Sequence, residues 1–138
     1  MTRLDDDELR LLVQRVARRI RSNRGDESMS DSQLGVLFLL EKNGDTSPGR
    51  LAEHERVSPP SMNRTLNGLE ERGLVRRDPS SDDARKVVVS ITDAGMELIR
   101  ETRRLRTAWF SRQLAGLDAE ERAALASVVP VLRKLADA

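Results

Sequence analysis

Residues 47–91, SPGRLAEHERVSPPSMNRTLNGLEERGLVRRDPSSDDARKVVVSI, hold two helix starts in close succession and then a change of hydrophobic period. Ser47 can cap an orphan backbone N–H, and Pro48 sits at the first helical position, where its missing donor costs nothing. Leu51 and Ala52 then face inward and Val57 closes the turn. Ser58 and Pro59 repeat the start signal, and Met62, Leu66, Leu69 and Gly73 follow at spacings of four, three and four, an apolar stripe on one helical side. The opposite side presents Ser61, Asn63, Arg64, Asn67 and Arg72, all able to donate hydrogen bonds. Gly73 is placed to end the helix in a left-handed turn.

Beyond Gly73 the pattern becomes that of strands. Leu74–Arg77 and Val87–Ile91 are β-branched or alternating, and Asp78–Ala84 between them is turn chemistry, so a hairpin with a long, mobile tip is expected. Arg85 and Lys86 stand where the tip re-enters the second strand, within reach of a minor groove or its phosphates. Asp83 precedes Arg85 by two residues; facing phosphate it would be repelled, so it is assigned to orienting a basic side chain of the hairpin. Arg76 reads as DNA-contacting, and the Arg76-Arg77 pair alternatively as a solvated strand edge that discourages aggregation. Two capped helices followed by a basic hairpin outline a winged helix-turn-helix, with the N-terminal half of the second helix shaped for a major groove of double-stranded DNA.

In order and spacing, the chain resembles the MarR family of bacterial transcription regulators. The resemblance rests on Leu51-Ala52, Val57-Ser58, Met62-Asn63-Arg64-Thr65-Leu66, Leu69-Glu70-Glu71-Arg72-Gly73-Leu74-Val75, Asp83-x-Arg85 and Ser90-Ile91-Thr92-x-x-Gly95. It implies a homodimer on a near-palindromic operator, with Asn63 and Arg64 in the major groove and Arg85 in the minor groove. It also implies control by a small anionic or aromatic effector. The DNA-binding set expected is Ser58, Ser61, Asn63, Arg64, Asn67, Arg76, Arg85 and Lys86, with Asp83 as support for the wing.

The flanks are helical. Leu9, Leu12, Val13, Val16 and Ile20 form a stripe with acids before it and Arg18, Arg19 and Arg21 behind, giving a first helix of about 18 residues. Ser30–Gln33 is a capping box, and Leu34 to Leu40 after it are apolar nearly all round, as in a buried central helix. Thr92 caps a long helix to Gly116 whose Ile99, Leu105 and Trp109 read as core. Asp118–Glu121 opens a last helix striped by Leu125, Val128, Val129, Leu132 and Leu135, and Pro130 within it is expected to kink the backbone. The fold class is mainly α with a small β-hairpin wing: one domain, with a winged helix-turn-helix lobe at 30–92 and dimerisation helices at 1–29 and 93–138. The terminal stripes either pack within one chain or interleave between two, which would set two recognition helices about 34 Å apart, one turn of DNA.

Composition narrows the function classes. The 138 residues carry 24 Lys and Arg against 23 Asp and Glu, a net charge of +1, so DNA binding must come from local asymmetry and not from overall charge. No cysteine is present, which excludes disulfides, thiolate metal sites and thiol oxidation sensing. A lone His54, read as an exposed helix residue, and the lack of a G-x-S-x-G turn or Gly-rich phosphate loop argue against catalysis; no metal or cofactor is expected. No apolar run has membrane length and no signal-peptide pattern opens the chain, so a cytoplasmic location is expected. The rival to DNA binding is a winged-helix module that binds another protein through its charged helices.

Overall fold

The helix starts read at Ser47 and Ser58 belong to a device used along the whole chain. In the computed structural model, which describes residues 3–138, the elements run α1 (Asp6–Arg21), α2 (Asp31–Asn43), α3 (Pro48–Glu55), α4 (Pro59–Glu71), β1 (Val75–Pro79), β2 (Val87–Ile91), α5 (Asp93–Ala115) and α6 (Ala119–Ala136). Every one of these helices opens on a side-chain oxygen that accepts the N–H three residues on, from Asp5, Ser30, Ser47, Ser58, Thr92 and Asp118 in turn. A cap of this kind contributes about 1 kcal/mol. Ser30 with Gln33 and Asp118 with Glu121 close the reciprocal capping box. The first helix has 16 residues, not the 18 expected, because Asp5 is its cap and Ser22 and Asn23 turn back to donate to the Arg19 carbonyl at 2.7 and 2.9 Å.

The hairpin differs from its sequence reading in one strand. β1 extends through Asp78 and Pro79, paired antiparallel in the register Val75↔Ile91, Arg77↔Val89 and Pro79↔Val87. Pro79 is tolerated because it ends an edge strand, where a ladder donor is dispensable. Across β2, Thr46 forms a bridge with Val89, its N–H donating at 3.2 Å and its carbonyl accepting at 2.7 Å. That bridge makes β2 central and explains why Val89 is fully buried. A single bridging residue has no period, and the sequence reading missed it. The tip is internally hydrogen-bonded and not an open loop: Ser80 N donates to Lys86 O at 2.8 Å and Lys86 N to Asp83 O at 2.9 Å.

The core lies between α2, α3, α4 and the hairpin, with Leu34, Leu37, Leu51, Leu66, Leu69, Val75 and Val89 excluded from solvent, and Ile99 of α5 joins it. Behind α4 the chain is fastened to α5. Gly73 takes φ +73, as its place after the helix requires, and Thr92 Oγ1 donates to its carbonyl at 2.7 Å while Thr92 N donates to Leu74 O at 3.1 Å. Gly95 rests on the same spot. A Cβ there would overlap the Leu74 carbonyl oxygen and lie 2.7 Å from Ile91 Cγ1.

Neither α1 nor α6 buries a single residue. Leu9, Leu12, Val13 and Val16 on α1, and Leu125, Val128, Val129, Leu132 and Leu135 on α6, all face solvent in the single chain, so the terminal stripes do not pack against each other inside one protomer. Trp109, expected in the core, is only half-buried; it lies beside Phe110 with centroids 6.4 Å apart and carries the Arg19 guanidinium 5.4 Å from its ring centre. α6 runs as one helix across Pro130. The chain exposes 10230 Å², against roughly 7200 Å² for a compact monomer of 15.5 kDa.

Candidate nucleic-acid interface

The face of α4 opposite its buried stripe is where the expected side chains collect. Met62, Leu66 and Leu69 anchor the helix to the core, and the 3.6-residue period then leaves Asn63, Arg64 and Asn67 exposed together. Ser58 Oγ takes the Ser61 N–H at 3.3 Å, and Pro59 and Pro60 occupy the first helical positions, so the helix begins sharply beside these side chains. Ser61 itself is half-buried. Among the described residues Arg64 has no ion pair or hydrogen-bond partner, so its charge is available to a ligand.

Asn67 is already engaged. Its Oδ1 accepts from Arg77 Nη2 at 2.6 Å, and Arg77 also grips Glu70 at 3.1 and 3.3 Å, which holds the Glu70 carboxyl below its usual range. Arg77 therefore ties β1 to α4 and is not a solvated edge residue. The signal was present in the strand period: Arg77 shares a face with buried Val75, and that face looks toward α4, whereas Arg76 points the other way. Arg76 is exposed, with Asp78 Oδ2 4.0 Å from its Nε. The amide nitrogen of Asn67 keeps its donors.

At the wing tip, Asp83 organises Arg85. One carboxylate oxygen accepts from the Arg85 backbone N–H at 3.0 Å and from Nε at 3.2 Å, while the other accepts from Nη2 at 3.3 Å. These bonds lower the Asp83 pKa, the side-chain bond from Arg85 being the largest cause. The Arg85 side chain is 91% exposed, so the guanidinium is oriented from behind while its outer edge faces solvent. Lys86 is exposed beside it.

Arg72 departs from the sequence reading. Expected on the groove-facing side, it turns back at the end of α4: Nη2 donates to Asp26 and to Ser28 Oγ at 2.9 Å, and Nη1 reaches the sulfur of buried Met29 at 2.9 Å. Its partners lie more than forty residues away in sequence, out of range of any local signal. His54 is exposed on α3, as expected. Among the described residues no group of three or more acidic or histidine side chains is arranged to hold a metal, and no helix is long and apolar enough to cross a membrane.

A helix presenting amide and guanidinium donors stands beside a basic hairpin, and the chain is similar to known proteins along most of its length. The MarR family model matches residues 29–87. An HTH-type transcriptional regulator of Mycobacterium tuberculosis is 39% identical over 130 residues, spanning 94% of this chain and 91% of the relative. A solved transcriptional regulator from Pseudomonas aeruginosa superposes with a TM-score of 0.83 at 33% identity, covering 96% of this chain and 94% of that one. The fold is also that of Streptococcus pneumoniae FabT, solved in complex with DNA, at a TM-score of 0.70 and 22% identity over 96% of this chain and 94% of that one. The chain belongs to the MarR family, as a DNA-binding winged-helix transcription regulator and not an enzyme.

Proposed function

We propose that this regulator is a cytoplasmic homodimeric repressor that occupies a near-palindromic operator overlapping a promoter. The observation that carries the reading is the exposed Asn63–Arg64–Asn67 face of α4, with Asn67 steadied by Arg77, standing beside a wing whose Arg85 is pre-oriented by Asp83. In this reading the N-terminal half of α4 enters the major groove, where Asn63 and Arg64 meet base edges and the Asn67 amide nitrogen donates alongside. Ser58 and Ser61, at the helix start, offer side-chain hydroxyls that can donate to a phosphate. Arg85 enters the minor groove, and Lys86 and Arg76 hold flanking phosphates.

The surface excess and the bare apolar stripes of α1 and α6 support a second copy of the chain as the partner. The winged lobe at 30–92 then binds DNA, and 1–29 with 93–138 dimerise. A small anionic or aromatic effector lodged between the two layers releases the operator, provided it binds the DNA-incompetent arrangement better.

Binding of duplexes selected from a random pool tests the reading. We expect an enriched palindromic motif, a preference of roughly a thousandfold or more over random duplex, and a steep fall in affinity with salt. Absent binding, or equal weak binding to every sequence, would instead favour a protein-binding module.

A further inference from the structure

The segment 22–30 between α1 and α2 is held from three sides. α5 holds it through Thr102, whose buried Oγ1 accepts from Gly25 N at 2.9 Å, and through Arg106, which donates to Asn23 O at 3.1 Å. α2 holds it through Asp31, paired with Arg24 at 2.6 Å. The end of α4 holds it through Arg72, on Asp26, Ser28 and Met29. Gly25 presses directly on α5: a Cβ there would stand 3.2 Å from both Leu98 Cδ1 and Thr102 Oγ1.

The last turn of α4 is thus joined to α5 twice, directly where Thr92 takes the Gly73 carbonyl and indirectly through Arg72 and the loop. The buried stripe seats α4 in its lobe, and these two links on different sides fix the direction of its far end relative to α5. Asn63 lies nine residues before Arg72, a lever of about 13 Å, so a tilt of roughly 10° at the anchored end displaces it by about 2 Å, beyond hydrogen-bond tolerance.

We propose that Arg72, with Asp26 and Ser28, is a positioning latch that sets the direction of the recognition helix relative to α5, and through it the spacing of the two recognition helices on an operator. The latch rests on the dimeric DNA-binding reading above. Arg72 touches no DNA; its guanidinium is spent on the loop. Nor is a lysine its equivalent, because one ammonium cannot repeat the planar fork that reaches Asp26, Ser28 and Met29 at once.

The test uses the full-length protein and the palindromic duplex selected from a random pool, alongside duplexes with one base pair added or removed between half-sites. Failure to select any palindrome would sink the DNA-binding reading itself, before the latch is in question. Given a selected palindrome, Arg72→Gln, Asp26→Asn and Thr102→Val should each lose roughly tenfold in affinity for it, the worth of a charge-assisted bond or of its support. Each should also discriminate less against altered spacing. Thr102 is buried and cannot meet DNA, so its variant separates the latch from any direct contact. The slope of log affinity against log salt should match the parent in all three, and Arg72→Gln with Asp26→Asn should be no worse than either alone. Three results would overturn the latch: a slope shallower by about 0.9 in Arg72→Gln alone, which marks a phosphate contact; parental spacing preference in Thr102→Val; or variants that melt earlier yet discriminate spacing as the parent does.

Discussion

Gly95 is where a missing side chain has the most consequence. Any Cβ there meets the Leu74 carbonyl and Ile91 at the junction that carries α4 into α5, and backbone cannot rotate away as a flexible side chain can. Gly95→Ala should therefore destabilise the fold by about 1–3 kcal/mol, read as a lowered midpoint in thermal unfolding; an unchanged midpoint would mean the junction is looser than its packing shows. Gly68 makes the contrast, since the nearest atom to a Cβ there is Nε2 of the Gln33 side chain, which can move. Asp26 is a residue whose charge matters. Two hydrogen bonds from Ser28 and the nearby Arg72 hold its carboxyl below the ordinary aspartate range. A depressed folded-state pKa contributes stability that is present above the unfolded value of about 4 and is lost as pH falls through the folded one. The melting-temperature gap between parent and Asp26→Asn should thus be open at neutral pH and close below about pH 4; a gap that does not change with pH would show that the carboxylate charge contributes nothing.

The same contrast between local and distant causes decides which elements were legible in the sequence. Caps were legible because their chemistry spans three residues: Ser30, Ser47, Ser58, Thr92 and Asp118 all cap the helices expected of them. The buried stripe of α4 and the central place of α2 followed from period alone. What period cannot give is the partner. Thr46 joins β2 from across the fold, Arg72 reaches back to Asp26, and Trp109 has an apolar pattern around it but only half a shelter. Arg77 is the intermediate case, since alternation put it on the inner face of β1 although its charge suggested solvent. Helix and wing also divide the proposed DNA contacts. Among the described residues Arg64 has no partner to leave, whereas Arg85 is already bound to Asp83, so the two should fail differently. Arg64→Ala should cost about 1–3 kcal/mol and relax selectivity at one operator position. Arg85→Ala should weaken all duplexes more evenly and flatten the salt slope. Mobility-shift titrations against point-substituted operators separate the two, and identical profiles for both variants would remove the division of labour.

For the molecule as a whole, the surface excess is the fact that a single chain does not resolve. The bare stripes of α1 and α6 and the apolar hollow walled by Phe110, Leu114, Leu125, Val129 and Leu132 contribute to it. Exposed apolar surface of this continuity marks an association site, and a second copy offers the same stripes in return, as a two-fold interface requires. Leu125→Asp combined with Leu132→Asp places two carboxylates in that hollow without touching the lobe core, which α6 does not enter. Sedimentation equilibrium should report a dimer for the parent and a monomer for the variant, with helical content retained. The parent's melting temperature should rise with protein concentration and the variant's should not, because only association couples stability to mass action. Affinity for the palindrome should then fall toward that for one half-site, since each lobe would bind alone. A parent that sediments as a monomer at operator-binding concentrations, or a variant that keeps full palindrome affinity, would separate DNA recognition from the terminal helices and leave their stripes to a different partner.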